Sequence, residues 1–122
     1  MGSDAVLEAL KELHDLLVRY NRPQSVMTKR LLDLRVNSAV GFDRLSTSDE
    51  VWDTPGCIWQ VSFYESGMHS GEEARHDDLR FHNAIVRLVE GMEVAGLHHP
   101  RAKIVCKTFC TWIRLNTRSA AS

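Results

Sequence analysis

Metal coordination is the first chemistry that the residue types suggest, since the chain carries six histidines. Glu72, Glu73 and His76 stand three and four positions apart, so one face of a helix could offer two ligands. Dimetal helical bundles repeat a Glu-x-x-His pair on a second helix, and HExxH sites carry two histidines; the sequence has neither pattern. A solvated helix start is therefore the favoured interpretation, with a small metal-dependent enzyme centred on these three residues as an alternative. No metal or other cofactor is predicted.

Thiol and imidazole chemistry is the second candidate. Cys106 and Cys110 would share a helix face, but they lack further ligands and are better explained as small buried residues. Cys57 follows a sharp Pro-Gly turn, yet a nucleophile needs a base and an oxyanion site that the sequence does not place. His98 and His99 precede a proline, and we predict that they lie in a surface loop. Without a hydrolase elbow or a phosphate-binding glycine loop, the chain is predicted not to be an enzyme.

The charges are sorted along the chain. Residues 43–78 hold nine acids and two arginines, a net charge of −7, whereas residues 94–122 hold five cations and no acid. An acidic surface of this kind steers a basic partner and repels an acidic one. The basic C-terminal stretch leaves a nucleic-acid-binding regulator as an alternative, through Arg101, Lys103, Lys107, Arg114 and Arg118. The simpler explanation is that these cations suit the C-terminal end of a helix and pair with the acidic middle of the same protein.

Aromatic residues interleave with the acids of the middle segment, and an aromatic exposed beside carboxylates is a typical interface anchor. We therefore predict a protein-binding surface. Its predicted residues are Asp43, Asp49, Glu50, Trp52, Asp53, Glu72, Glu73, Asp77 and Asp78.

The elements that must position these residues are predicted to be helices. Apolar residues at three- and four-residue spacing indicate helices over 4–20, 25–40, 71–95 and 101–116. Ser25 is the predicted cap of the second helix and Gly41 its terminator, and Ser70-Gly71-Glu72-Glu73 is a predicted capping box. Residues 57–64 fit either a strand or a short helix, and we predict a helix because no partner strand is evident. The expected fold is all-α: one domain of four or five helices over 1–122, with an irregular segment at about 42–68 and flexible residues at 1–3 and 119–122.

Composition sets the remaining bounds. The chain has 122 residues, of which 43% are hydrophobic and 25% charged, as in ordinary globular domains. No apolar run approaches the ~20 residues that a bilayer crossing needs, so a membrane partner is not expected. Three cysteines without a signal-peptide pattern favour reduced thiols and a cytoplasmic location.

The run WDTPGCIWQV at residues 52–61 resembles a signature of small bacterial immunity proteins, which are encoded beside polymorphic or contact-dependent toxins. Those proteins pair a helical hairpin with a downstream aromatic residue, a Gly-rich turn and a short apolar helix. The resemblance covers about residues 26–95; this turn has one Gly where the signature tends to have two, and Gln60 replaces the usual acid. It implies a non-catalytic toxin inhibitor that binds a cognate toxin domain and blocks its active site. An acidic inhibitor would suit a toxin with a basic active-site cleft.

Overall fold

The computed structural model describes residues 4–61 and 71–121, and of residues 71, 72, 74 and 118–121 it describes the backbone alone. Every regular element in these ranges is an α-helix, which confirms the all-α prediction. There are six of them rather than four or five, because the predicted irregular segment itself contains helical turns. The helices are α1 (Ala5–Arg19), α2 (Ser25–Asn37), α3 (Ala39–Ser46), α4 (Asp49–Trp52), α5 (Gly71–Val94) and α6 (Pro100–Ala121).

Helix α1 lies at the centre of the bundle, where it packs against both α2 and α5. Asp4 caps its start by accepting a hydrogen bond from the Leu7 amide at 3.1 Å. The carboxylate of Asp4 also accepts two hydrogen bonds from Arg35 on α2, at 2.9 and 3.1 Å. Helix α5 runs antiparallel to α1, and the two are in close contact at Gly91, where an added Cβ would lie 2.8 Å from a methyl carbon of Val6.

The predicted helix over 25–40 begins at residue 25 as expected, but its cap and its C-terminal end differ from the prediction. Ser25 is not its cap, since Gln24 holds that position without a side-chain hydrogen bond. The helix ends at Asn37, where Ser38 turns extended with φ −154° and accepts the Gly41 amide at 3.1 Å as the cap of α3. Ser38 thus offers the backbone a local alternative to a continuous helix, and Gly41 lies inside α3 instead of ending α2.

The predicted short helix over 57–64 is also wrong where the structure describes it. Residues 57–61 form neither helix nor strand, and residues 62–64 lie outside the described residues. The irregular segment predicted over 42–68 contains most of α3 and all of α4, so its described irregular part is limited to residues 47–48 and 53–61.

Helices α5 and α6 form an antiparallel hairpin. The predicted helix over 71–95 is confirmed as α5, although Ser70 of the predicted capping box lies outside the described residues. Gly96 ends α5 with φ +81°, as predicted, and the Leu97 amide bonds back to the Met92 carbonyl at 2.8 Å. Helix α6 runs to Ala121, so it passes the predicted end at 116 and takes in residues 119–121 of the predicted tail.

The core lies between α1, α5 and the segments that cover them. Its largest fully buried side chains are Trp52, Tyr20, Phe42, Phe81, Leu10, Leu13, Leu16, Leu17, Leu31, Ile58 and Ile85. None of the helices in the described ranges carries an apolar stretch of the length that a membrane crossing needs.

Candidate functional site

Helix α4 is held to the core by its tryptophan. The Trp52 side chain is fully buried, and its indole Nε1 donates to the Ser46 carbonyl at 2.7 Å. The Trp52 carbonyl in turn accepts the Trp59 indole at 2.7 Å and the Cys57 thiol at 3.5 Å. The prediction that Trp52 lies exposed as an interface anchor is therefore wrong: this residue positions the loop from beneath.

The turn after α4 is closed by its own polar groups. The Cys57 amide donates to the Thr54 carbonyl at 3.1 Å, and Gly56 takes the left-handed conformation with φ +76°. Gln60 accepts the Gly56 amide at 2.9 Å, and its carbonyl accepts the Gln24 side chain at 3.3 Å. The turn walls an open cavity of about 350 Å³ lined by Asp53 to Cys57, Trp59 and Gln60. The WDTPGCIWQV run thus forms an exposed polar turn that is supported by the buried side chain of Trp52.

The acids before this turn project outward, and we call Asp43, Asp49, Glu50 and Asp53 the acidic turn. The last three have side chains 79%, 56% and 50% exposed and contact His99, Arg30 and Arg101, respectively. The separations are 2.7 Å for Asp49–His99, 3.5 Å for Glu50–Arg30 and 3.4 Å for Asp53–Arg101. The pairs with Arg30 and Arg101 are solvent-accessible ion pairs of the kind that contribute little to stability and exchange readily. They also reduce the negative field that the sequence charge predicts.

The Asp49–His99 contact has the form of a catalytic dyad but serves as a helix cap. His99 is 6% exposed and precedes Pro100, which holds the first position of α6. Its Nδ1 accepts the Arg101 amide at 3.1 Å, so Nε2 carries the proton and donates to Asp49. His98 and His99 both lie in the loop before α6, as predicted; His98 is exposed, but the predicted surface position is wrong for His99, which is buried.

The acids at the start of α5 do not join the acidic turn. Asp77 and Asp78 are 1% and 6% exposed, so the prediction that they lie on a binding surface is wrong. The Tyr20 hydroxyl donates to Asp77 at 2.7 Å. Burial, together with the hydrogen bond and charge of Asp77, raises the pKa of Tyr20 to about 12. Burial also raises the pKa of Asp78, an effect that the nearby His82 opposes.

Glu73 is exposed but lies at the other end of the bundle. Its carboxylate pairs with Arg19, at the last turn of α1, at 2.5 Å. Since α5 rises 1.5 Å per residue, Glu73 lies about 30 Å along the hairpin from the start of α6, which the acidic turn contacts. Of the nine predicted binding residues, Asp49, Glu50 and Asp53 lie together on and beside α4, and Asp43 is exposed on the preceding helix α3; the Glu72 side chain lies outside the described residues.

The chemistry first suggested by the sequence finds little support in the described residues. Among residues 4–61 and 71–121, no group of three His, Cys, Asp or Glu side chains could hold a metal ion. The Cys57 thiol is 4% exposed. Burial, with the neighbouring Cys110, raises the pKa of the Cys106 thiol to about 12, which keeps it protonated and weakly nucleophilic.

Two clusters were not predicted from the sequence. Glu12 on α1 accepts hydrogen bonds from Arg80 at 3.2 Å and from Arg87 on α5. His82 stacks on Trp112 of α6, with ring centroids 4.0 Å apart and an interplanar angle of 13°. Both join residues far apart in sequence, so local spacing carries no signal for them.

No protein-family model matches the chain, and neither a curated protein nor a solved structure shows detectable similarity to it. The resemblance of residues 52–61 to immunity proteins therefore stays a prediction.

Proposed function

We propose that this protein is a non-catalytic binding module of the immunity type, which blocks a cognate bacterial toxin through the acidic turn. The observation that carries the proposal is the combination of exposed carboxylates with a fully buried base. Asp49, Glu50 and Asp53 are at least half exposed, while Trp52, between them, is fully buried and hydrogen-bonded.

Pre-organisation is the physical reason that this arrangement favours binding. A loop that is already ordered loses little conformational freedom when it meets a partner, and that loss is a main cost of association. Two indole hydrogen bonds and the Gln24–Gln60 contact hold the acidic turn before any partner arrives. The solvent-accessible pairs with Arg30 and Arg101 can release Glu50 and Asp53 to a partner's cations at small cost.

The test uses the toxin domain encoded beside the gene of this protein. Association rate and affinity are measured for the wild type and for Asp43→Lys/Glu50→Lys, with Glu8→Lys/Asp15→Lys as the matched control. All four acids are exposed, and the control pair lies on α1. We expect the first variant to associate about tenfold more slowly at low salt and the control to match the wild type.

Two results would contradict the proposal. One is the absence of a complex with the neighbouring toxin domain at micromolar concentrations. The other is a complex whose affinity and salt dependence are the same in both charge-reversed variants.

A nucleic-acid-binding regulator is the second candidate, and one observation favours it. Lys103, Lys107 and Arg114 on α6 are exposed and form no ion pair with a described residue. Two other features oppose it: Arg101 is paired with Asp53, and Glu90 and Glu93 line the same groove as the three cations. Binding to DNA or RNA at micromolar affinity in ~0.15 M salt, falling steeply as salt rises, would place this candidate first.

A further inference from the structure

The groove between α5 and α6 has charges of opposite sign on its two walls, and they are not joined to each other. It is an open depression of about 620 Å³, with Glu90 and Glu93 on the α5 side and Lys103, Lys107 and Arg114 on the α6 side. None of these five forms an ion pair or a side-chain hydrogen bond with a described residue. Elsewhere, charges that face each other across helices are joined, as in Arg35–Asp4, Arg80–Glu12 and Arg101–Asp53.

The cations form a continuous stripe. Positions 103, 107 and 114 differ by four and seven residues, so their side chains leave one face of α6 within about 40° of each other. The next stripe is apolar: Ile104 and Leu115, eleven positions apart, are 54% and 58% exposed. Exposed apolar side chains beside unpaired charges are typical of a surface that another protein covers.

The arrangement of charges identifies which partner fits. A polyanion that bound the three cations would be repelled by the two glutamates on the facing wall. A basic peptide that bound the glutamates would be repelled by the three cations. A surface with one acidic and one basic wall is complementary to itself. A two-fold axis that runs along the groove, in the plane of the interface, sets the basic wall of one copy against the acidic wall of the other, and contact of the same surface on both copies is what defines an isologous interface.

We propose that this groove is the self-association surface of the protein and that its occupant is a second copy of the same chain. Two copies pair their charged walls twice, once on each side of the axis, and bring their Ile104 side chains toward each other. The surface is separate from the acidic turn, so the dimer does not depend on the proposed toxin inhibition.

The test is a charge exchange between copies. Molar mass is measured by light scattering after size exclusion for the wild type, for Glu90→Lys/Glu93→Lys and for Lys103→Glu/Lys107→Glu, each alone and then mixed. At ~0.05 M salt and ~100 μM chain, the wild type should approach twice the 13.9 kDa chain mass. Each variant alone should associate at least tenfold more weakly, and the equimolar mixture should recover the dimer.

Recovery of the dimer only in the mixture distinguishes contacts between two copies from contacts within one copy. A pairing of the two walls inside a single chain would be lost in both variants and would not return on mixing. Lys11→Glu/Arg44→Glu is the matched control, because both cations are exposed, lie outside the groove and form no ion pair with a described residue; it should dimerise like the wild type. A wild type that stays monomeric at ~1 mM, or a mixture that associates no better than its components, overturns the proposal.

Discussion

The hydrogen bond between the Tyr20 hydroxyl and Asp77 predicts that the protein loses stability at alkaline pH, and that this loss depends on the hydroxyl. The bond is 2.7 Å long and buried, and it joins α1 to α5. Because its acceptor is charged, removing the hydroxyl in Tyr20→Phe should cost about 1.5–3 kcal/mol at neutral pH. Asp77 keeps Arg80 and Arg19 as partners, each at 3.4 Å, so the variant should still fold.

The same interaction appears in the pKa of Tyr20, which is raised from 10.0 to about 12. Above the unfolded pKa the unfolded chain loses the phenolic proton and the folded chain keeps it, so stability falls as pH rises. The contribution is fully present below about pH 10 and is lost by about pH 12. Between about pH 8 and pH 11 the expected loss is at most about 1.4 kcal/mol, since each unit of pKa shift corresponds to about 1.36 kcal/mol.

Urea unfolding at a series of pH values measures both quantities, with the free energy of unfolding obtained by linear extrapolation. The wild type and Tyr20→Phe should differ most near neutral pH and converge toward about pH 11. Cys106, whose pKa is also about 12, adds a loss of the same sign, so the comparison is repeated in a Cys106→Ser background. A difference in unfolding free energy between the wild type and Tyr20→Phe that stays constant over this pH range would refute the reasoning.

Two further predictions concern the backbone and a helix cap. Gly91→Ala normally favours a helix by up to about 1 kcal/mol, but here the new methyl meets Val6 at 2.8 Å, so we expect a net loss of about 1–3 kcal/mol in urea unfolding. In a Val6→Ala background the same change should stabilise, and a stabilising effect in the wild type would show that α1 moves aside freely. His99→Ala removes the acceptor of the Arg101 amide and should cost about 1 kcal/mol more than His99→Asn, whose side chain can still cap the helix. Equal thermal stability of the two variants would assign the role of His99 to packing instead.

The elements that could be predicted from sequence are those whose signals are local. Helix α5 has a regular apolar repeat, and Gly96 marks its end, so its existence and its C-terminal end follow from neighbouring residues. Helix α2 also has a local pattern, but Ser38 competes with it by capping the next helix. Two adequate local solutions existed there, and the periodicity of apolar residues does not distinguish them.

The candidate site could be predicted only in part, because burial depends on distant partners. Asp77 and Asp49 look alike in the sequence as acids of a helix start. Asp77 is buried because Tyr20, 57 positions earlier, supplies a hydrogen bond to it. Trp52 likewise lies among acids, yet the Ser46 carbonyl receives its indole inside the protein. Within the WDTPGCIWQV run, Trp52, Cys57 and Ile58 are buried and support the turn from the core side.

The sorting of charge along the chain has a different meaning once the chain is folded. Acids from the middle segment meet bases from the end of the chain, as Asp53 meets Arg101. This contact confirms, for that arginine, the prediction that the basic stretch pairs with the acidic middle. Net charge per segment therefore overstates the electrostatic field at the acidic turn.

A charged side chain that is already paired must break that ion pair before it can bind a partner, whereas an unpaired one loses only bound water. By this criterion Lys103 and Lys107, on the wall of the groove opposite Glu90, are better placed than Asp53 to gain from a new contact. The surfaces of this protein are thus distinguished less by the sign of their charge than by whether the fold has already satisfied it.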